Sequence, residues 1–235
     1  MLLLLIVCPI LFSFLYHLCF MKKFNLKYLL LRSKCDFCNQ QLKFRDMIPV
    51  VSYIKLWGRA SCCYQKLNKY YLIGEITSLI PAFYLLFSFT SEALTSFLLI
   101  YLFLLIFSLY DLQTLSIPLH MYLIFAISSI FIIEGNVYQF LVITFILHLF
   151  YICFKSAIGY GDILICALLS YLLPYIYFIN VLFLTFLSGS VFAIILVLKL
   201  KKRKIKIPLI PFIYIAYCIE TALVHLKMHE VNLFY

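Results

Sequence analysis

Charged side chains are scarce in this sequence. Asp, Glu, Lys and Arg together make up 12% of its 235 residues, whereas 66% of the residues are hydrophobic. A soluble globular domain carries about 25% charged residues, so the composition excludes that class and indicates helices that lie in lipid. Acidic residues are the scarcest, with nine against nineteen Lys and Arg, which gives a net charge of +10.

Several functional motifs are also missing. The sequence has no His-Glu-x-x-His motif, and no His lies near a Ser or Cys in a recognisable catalytic context. These absences argue against metalloproteolysis and against serine or cysteine proteolysis. Nucleic acid is not an expected partner, because the basic residues fall in loops between apolar runs, where orientation in a membrane accounts for them.

Long apolar runs are what the sequence has instead. Six of them approach the length of about 20 residues that a membrane crossing needs, near 2–21, 71–90, 94–110, 117–133, 137–154 and 207–226. The run 163–198 is too long for one crossing, and a turn between Pro174 and Asn180 would divide it into two. We therefore predict an all-α polytopic membrane helix bundle of about eight transmembrane helices.

The basic residues predict how these helices are oriented. With eight spans and the N-terminus outside, eighteen of the nineteen Lys and Arg fall on one side, which the positive-inside rule makes cytoplasmic. Lys22 and Lys23 follow the first run directly, so we interpret that run as a retained span. The predicted division is a first transmembrane helix at 1–21, a cytoplasmic Cys-containing loop subdomain at 22–70 and a membrane-embedded core at 71–235.

Four acidic residues lie in or beside the apolar runs, and an ionisable group at membrane depth is a candidate functional residue. They are Glu75, Asp111, Asp162 and Glu220. For Glu75 we expect a structural ion pair with a loop Arg or Lys. Asp111 ends the third run and Asp162 opens the sixth, so the predicted topology places both at the cytoplasmic boundary. Gly159 and Gly161 precede Asp162, and we expect them to permit unusual backbone angles and the close approach of another chain.

Two carboxylates in a poorly hydrated place can share one proton. The ionised group then acts as a base on water while its partner polarises a peptide carbonyl, as in aspartic proteases, and no cofactor is needed. Two alternatives stay open on spacing alone. Asp111 and Asp162 could cap helices or pair with Lys155, or they could line a cation or proton pathway.

The motifs around these residues resemble those of the type IV prepilin peptidases, which are intramembrane aspartic proteases. The resemblance spans most of the chain and includes Leu31-Arg32-Ser33-Lys34-Cys35-Asp36-Phe37-Cys38, Ile48-Pro49-Val50-Val51-Ser52-Tyr53, Gly58-Arg59, Asp111-Leu112-Gln113-Thr114-Leu115-Ser116-Ile117-Pro118, Gly159-Tyr160-Gly161-Asp162, and Lys206-Ile207-Pro208 with Pro211-Phe212.

This resemblance implies that Asp111 and Asp162 are the catalytic pair of a multi-pass enzyme in the bacterial cytoplasmic (inner) membrane. The implied substrates are prepilin or pseudopilin precursors of a pilus, secretion or DNA-uptake machine, cut at the cytoplasmic face. Many members also methylate the new N-terminus, which would require S-adenosylmethionine. The alternatives are a non-catalytic membrane assembly scaffold and an ion or proton transporter.

Four cysteines lie in the predicted cytoplasmic loop, where disulfides are not expected. They are Cys35, Cys38, Cys62 and Cys63, and clustered thiols there make zinc a candidate ligand. The family commonly has two Cys-x-x-Cys pairs, but Ala60 stands where its third cysteine is expected and Cys62 adjoins Cys63. The choices left open are four unusual ligands, three thiolates with another donor, or a degenerate site.

Overall fold

The computed structural model describes residues 2–21, 33–35, 37–84, 91–154, 158–200 and 206–233. Within these residues the regular elements are helices, no strand is present, and two isolated β-bridges occur. This confirms the predicted all-α membrane helix bundle. The basic residues Lys22, Lys23, Lys155 and those at 201–204 lie outside the described residues.

The chain forms two compact units, and the first covers residues 1–89. Its described helices are α1 (Leu2–Cys19), α2 (Val51–Lys55), α3 (Lys69–Thr77) and α4 (Ile80–Tyr84), with a 3₁₀ turn at Phe44–Met47. Helix α1 packs against α3 and α4. The contact with α3 is close, because a Cβ atom on Gly74 would lie 1.8 Å from Cζ of Phe12.

The apolar run at 71–90, predicted as one span, does not form one continuous helix. Helix α3 ends at Thr77 and α4 begins at Ile80, with a turn at Ser78 and Leu79 between them. Pro81 gives the physical reason, since its ring has no N–H to donate and clashes with the carbonyl four residues earlier in a continuous helix.

The second unit covers residues 90–235 and contains six described helices. They are α5 (Ser91–Thr114), α6 (Leu119–Ile132), α7 (Val137–Cys153), α8 (Tyr160–Leu172), α9 (Tyr175–Leu200) and α10 (Ile210–Leu233). Helix α5 is the core element of this unit: it packs against α6 and α10, and its apolar side chains are mostly buried. Helix α10 also packs against α9, and α7 packs against α8.

Two of the described helices contain segments that are long and apolar enough to cross a membrane, Leu94–Thr114 and Tyr175–Lys199. Five shorter apolar helices accompany them. The long run at 163–198 divides as expected, although the break falls at Leu173 and Pro174, at the start of the predicted interval. The count of eight spans and the three-part division of the chain stay predictions.

Candidate active site

Asp111 lies in the last turn of α5. The sequence predicts that the helix stops at Tyr110, but it continues to Thr114 and is closed by Leu115, whose φ of 53° is left-handed and whose N–H bonds to the Asp111 carbonyl at 2.9 Å. Asp111 is only 5% exposed. A carboxyl group is therefore held inside the unit, one turn before its helix ends.

The first residue of α10 contacts this carboxyl group. The backbone N–H of Ile210 points to Oδ2 of Asp111 with an N···O distance of 3.4 Å. The first N–H groups of a helix have no partner within the helix, and Pro211 has none to offer, so the amide of Ile210 is the donor available there. Sequence reasoning singled out Pro208 and Pro211 but missed this backbone donor.

Asp162 lies in the first turn of α8 and is half-buried. Its Oδ2 accepts the N–H of Gly159 at 3.2 Å, which is the hydrogen bond of a helix cap. The capping role considered from the sequence is therefore present at this residue. This cap hydrogen bond does not separate the Asp162 carboxyl group from the other aspartate, because Asp111 and Asp162 lie close enough to interact electrostatically.

The glycines beside Asp162 do not adopt unusual backbone angles, and the absence of a side chain is what matters at Gly161. Gly159 has φ −71° and ψ 142°, and Gly58 is the described glycine with positive φ, so the expected unusual angles at Gly159 and Gly161 are wrong. A close approach within the chain is found at Gly161, where a Cβ atom would lie 2.7 Å from Cδ1 of Ile117. Ile117 belongs to the segment that follows Asp111, so this contact joins the two aspartate motifs.

Tyr160, between the two glycines, contacts α7. Its hydroxyl lies 3.4 Å from Nε2 of His148, and its ring packs against Tyr151. The sequence assigns no role to His148, because nothing in its spacing indicates a partner twelve residues away.

Glu75, in the first unit, is buried without the predicted basic partner. Its Oε1 accepts a hydrogen bond from Oγ of Ser13 at 2.5 Å, and its Oε2 accepts the backbone N–H of Val50 at 2.6 Å. No ion pair with an Arg or Lys is found for it within the described part of the chain. The carboxyl group therefore links α1 to the loop that precedes α2.

The four loop cysteines come together. Their sulfur atoms all lie within 4.8 Å of one another, with 3.8 Å between Cys35 and Cys63 and 3.2 Å between Cys38 and Cys62. Four thiolates about 2.3 Å from a tetrahedral zinc ion are about 3.8 Å apart, so this donor set fits zinc.

Two backbone turns of the same geometry carry these thiols. The amide of Cys35 bonds to the carbonyl of Gln40, and the amide of Ala60 bonds to that of Gln65, both at 2.9 Å. Asn39 and Tyr64 then adopt nearly equal φ angles of 58° and 59°. Each turn is closed by an isolated bridge, Lys34 with Gln41 and Arg59 with Lys66.

Ala60 therefore occupies the place of Cys35 in the second turn, and Cys63 occupies the place of Cys38. The fourth thiol comes from Cys62, two residues after the vacated position. Burial raises the pKa of the Cys35 thiol, but hydrogen bonds from the amides of Cys38 and Phe37 and from neighbouring thiols outweigh it and lower the pKa to about 7. Hydrogen bonding with Cys38, together with burial, raises the pKa of Cys62 to about 12.

Comparison with known proteins gives matches along most of the chain. The profile of the bacterial peptidase A24 N-terminal domain matches residues 6–89, and that of the type IV leader peptidase family matches residues 97–194. The second match includes Asp111 and Asp162. No solved structure matches the chain.

Curated relatives carry the same family name. The chain is 30% identical over 177 residues to a prepilin leader peptidase/N-methyltransferase of Pectobacterium carotovorum, an alignment that covers 69% of this chain and 63% of the relative. It is 30% identical over 104 residues to the protein of that name in Vibrio cholerae, covering 43% of this chain and 41% of the relative. The chain thus spans less than two thirds of the length of these relatives.

Proposed function

Because the chain belongs to the type IV leader peptidase family, we propose that it is a membrane aspartic endopeptidase that removes leader peptides from prepilin or pseudopilin precursors. The observation that carries this proposal is the placement of Asp111 and Asp162. One carboxyl group ends α5 and the other opens α8, and the two interact electrostatically beside a contact between their motifs.

The reaction uses the two carboxyl groups in opposite protonation states. Two carboxylates close together in a poorly hydrated place share a proton, since ionising both is costly. The ionised group takes a proton from water, and the water oxygen attacks the scissile carbonyl. The protonated group polarises that carbonyl and then delivers its proton to the departing amine.

The surrounding backbone assigns different environments to the two groups. Asp111 is buried, which disfavours its charged form, whereas the Ile210 amide at the N-terminus of α10 favours a carboxylate there. Asp162 is half-buried and tethered to Gly159, so it is the more accessible of the two to water. Each contact fixes the direction of one carboxyl group.

The distribution of basic residues supports cleavage on the cytoplasmic side. If the chain crosses the bacterial cytoplasmic membrane eight times, the end of α5 and the start of α8 share the side that holds most Lys and Arg. A precursor with a basic leader and an apolar helix would place its junction at that boundary. The anionic pair would also attract the basic leader.

In the loop, Cys35, Cys38, Cys62 and Cys63 would hold a zinc ion with four thiolates. Such an ion would cross-link the two turns and stabilise the loop. The name of the relatives also includes N-methyltransferase. The proposal for this chain therefore includes methylation of the new N-terminus, with S-adenosylmethionine as the methyl donor.

The test is cleavage of a purified pseudopilin precursor by the full chain in detergent, followed by mass spectrometry of the product. The wild type should give a product shortened by the leader. Asp111→Asn and Asp162→Asn should both lose cleavage, because asparagine keeps the shape of the side chain but cannot exchange a proton. Added S-adenosylmethionine should increase the product mass by one methyl group.

Glu134→Gln is the matched control, since it removes an exposed carboxylate outside the proposed site. It should cleave at the wild-type rate. Full cleavage by both aspartate variants would reject the pair as the catalytic groups. No cleavage by the wild type would leave a scaffold or a transporter as the function. Cleavage without methylation would support the proposed peptidase activity and reject the proposed methyltransferase activity.

A further inference from the structure

The loop before α3 presents an apolar surface that the peptidase chemistry does not use. Within the segment from Phe44 to Trp57, six large apolar side chains are exposed, and Trp57 and Phe44 are the most exposed, at 91% and 75%. We call this surface the 44–57 face; its members are Phe44, Met47, Ile48, Val51, Ile54 and Trp57. Large exposed apolar side chains concentrated in one short segment indicate a place where a protein meets a partner or a membrane.

Four of these side chains recur at every third residue, at Ile48, Val51, Ile54 and Trp57. Val51 and Ile54 share one side of the helical turn Val51–Lys55, and Ile48 and Trp57 flank this turn in non-helical backbone. None of the five residues of α2 is buried. This short helix therefore contributes nothing to a core of its own.

The backbone that presents the face is held in unfavourable conformations. Val50 has φ 61° and Trp57 has φ 51°, and both angles are uncommon for residues other than glycine. The chain then turns back at Gly58, whose N–H bonds to the carbonyl of Tyr53 at 2.9 Å. Such angles persist where surrounding contacts impose them, and they often occur at functional segments.

The contact made by the Val50 amide sets the depth of the face. Glu75 accepts the amide of Val50 and the hydroxyl of Ser13, so the start of α2 lies beside α1 at the level of Ser13. Helix α1 continues for six residues beyond Ser13 to Cys19, a distance of about 9 Å. If α1 crosses the membrane and its Cys19 end is cytoplasmic, as the proposed topology has it, Val50 lies within the cytoplasmic leaflet.

Basic side chains border the face. Lys43, Arg45, Lys55 and Arg59 are all exposed. The one described carboxylate in the segment is Asp46, and it accepts a hydrogen bond from Oγ of Ser61 at 2.7 Å. An apolar face with an aromatic residue and a basic border is the pattern of helices that lie in the membrane interface and bind anionic headgroups.

We propose that the 44–57 face is an interfacial membrane anchor, which inserts Trp57 and its apolar neighbours into the cytoplasmic leaflet while the basic border binds anionic lipid headgroups. It holds the second cysteine turn, which begins directly after Gly58, against the membrane surface. The occupant is lipid, because the Glu75 contacts place the segment at membrane depth and its charge complements an anionic surface.

The experiment uses Trp57, the single tryptophan of the chain, as its probe. The full chain is reconstituted in vesicles of phosphatidylcholine and phosphatidylglycerol, with or without bromine atoms on the acyl chains. Bromolipid should quench more than about half of the emission, because the indole lies at the boundary of headgroup and acyl chain. Acrylamide in the water should quench it weakly.

The matched control moves the probe to the second cysteine turn. In Trp57→Phe/Tyr64→Trp the only indole replaces an exposed tyrosine between Cys63 and Gln65. This variant should show the reverse pattern, with strong quenching by acrylamide and weak quenching by bromolipid. Both probes lie in the same loop, so a difference in quenching between them is specific to the 44–57 face.

Two outcomes would overturn the anchor. Emission from Trp57 that only acrylamide quenches would place the face in water. Emission that neither agent quenches would place it against protein, either the rest of the chain or a second copy. For the border, Arg45→Glu/Lys55→Glu should reduce bromolipid quenching, and unchanged quenching would reject a role for these charges.

Discussion

A Cβ atom on Gly161 would lie 2.7 Å from Cδ1 of Ile117, closer than a real Cβ atom comes to a neighbour. Gly161 immediately precedes Asp162, and Ile117 lies in the segment that follows Asp111. The absence of a side chain at position 161 therefore lets the start of α8 approach the segment that follows α5. This contact gives a structural reason for a glycine beside the second aspartate.

Gly161→Ala should reduce cleavage by about tenfold or more, because moving α8 away from Ile117 misplaces one carboxyl group relative to the other. Ile117→Ala removes the atoms that a new Cβ would meet, so the double variant should recover part of the lost rate. Rates are compared at saturating precursor. An unaffected Gly161→Ala variant would show that the contact does not position Asp162.

Glu75→Ala should destabilise the first unit, because it leaves the buried amide of Val50 and the hydroxyl of Ser13 without their acceptor. The expected loss is about 1–3 kcal/mol, measured by thermal unfolding in detergent. Glu75→Gln keeps an acceptor oxygen for the Val50 amide and should lose less. Equal unfolding temperatures for the wild type and the alanine variant would contradict the linking role of Glu75.

The cysteine loop should bind one zinc ion per chain, and Cys62→Ser should lose it as fully as Cys35→Ser does. The reason is that Cys62 supplies the thiol that Ala60 lacks. Ala60→Cys/Cys62→Ser would return the thiol to the repeated position in the second turn and should restore binding. Metal content is measured by elemental analysis after dialysis.

Cys153→Ser is the control for that series, because Cys153 is exposed at the end of α7 and belongs to the other unit. It should keep the metal. Zinc retained by Cys62→Ser would show that three thiolates with another donor suffice, and metal-free wild-type protein would show a degenerate site.

Sequence patterns predicted the features that depend on local composition. The all-helical membrane class, the division of the long run near Pro174, and the clustering of four thiols all followed from apolar runs, proline and cysteine spacing. The break before Pro81 was missed because hydropathy averages over a single proline. The continuation of α5 past Tyr110 was missed because Asp111 was treated as the end of an apolar run rather than as part of a helix.

Features that depend on contacts between distant segments could not be predicted. The amide of Ile210 meets Asp111 across 99 positions of sequence, and no property of an isoleucine indicates such a partner. The partners of Glu75 are a hydroxyl and a backbone amide, whereas charge pairing favoured Arg or Lys. Cysteine spacing placed Ala60 where a third cysteine is expected, but it could not show that the two turns share the same hydrogen bonds and φ angles.

The aspartate pair is tested most directly by single-turnover cleavage with Asp111→Asn, Asp162→Asn and the double variant, at saturating enzyme. Two groups that exchange one proton act as a unit, so each single variant should lose at least about a hundredfold in rate. The double variant should be scarcely slower than either single one. Losses that multiply in the double variant, or a single variant that cleaves at the wild-type rate, would contradict the proposed pair.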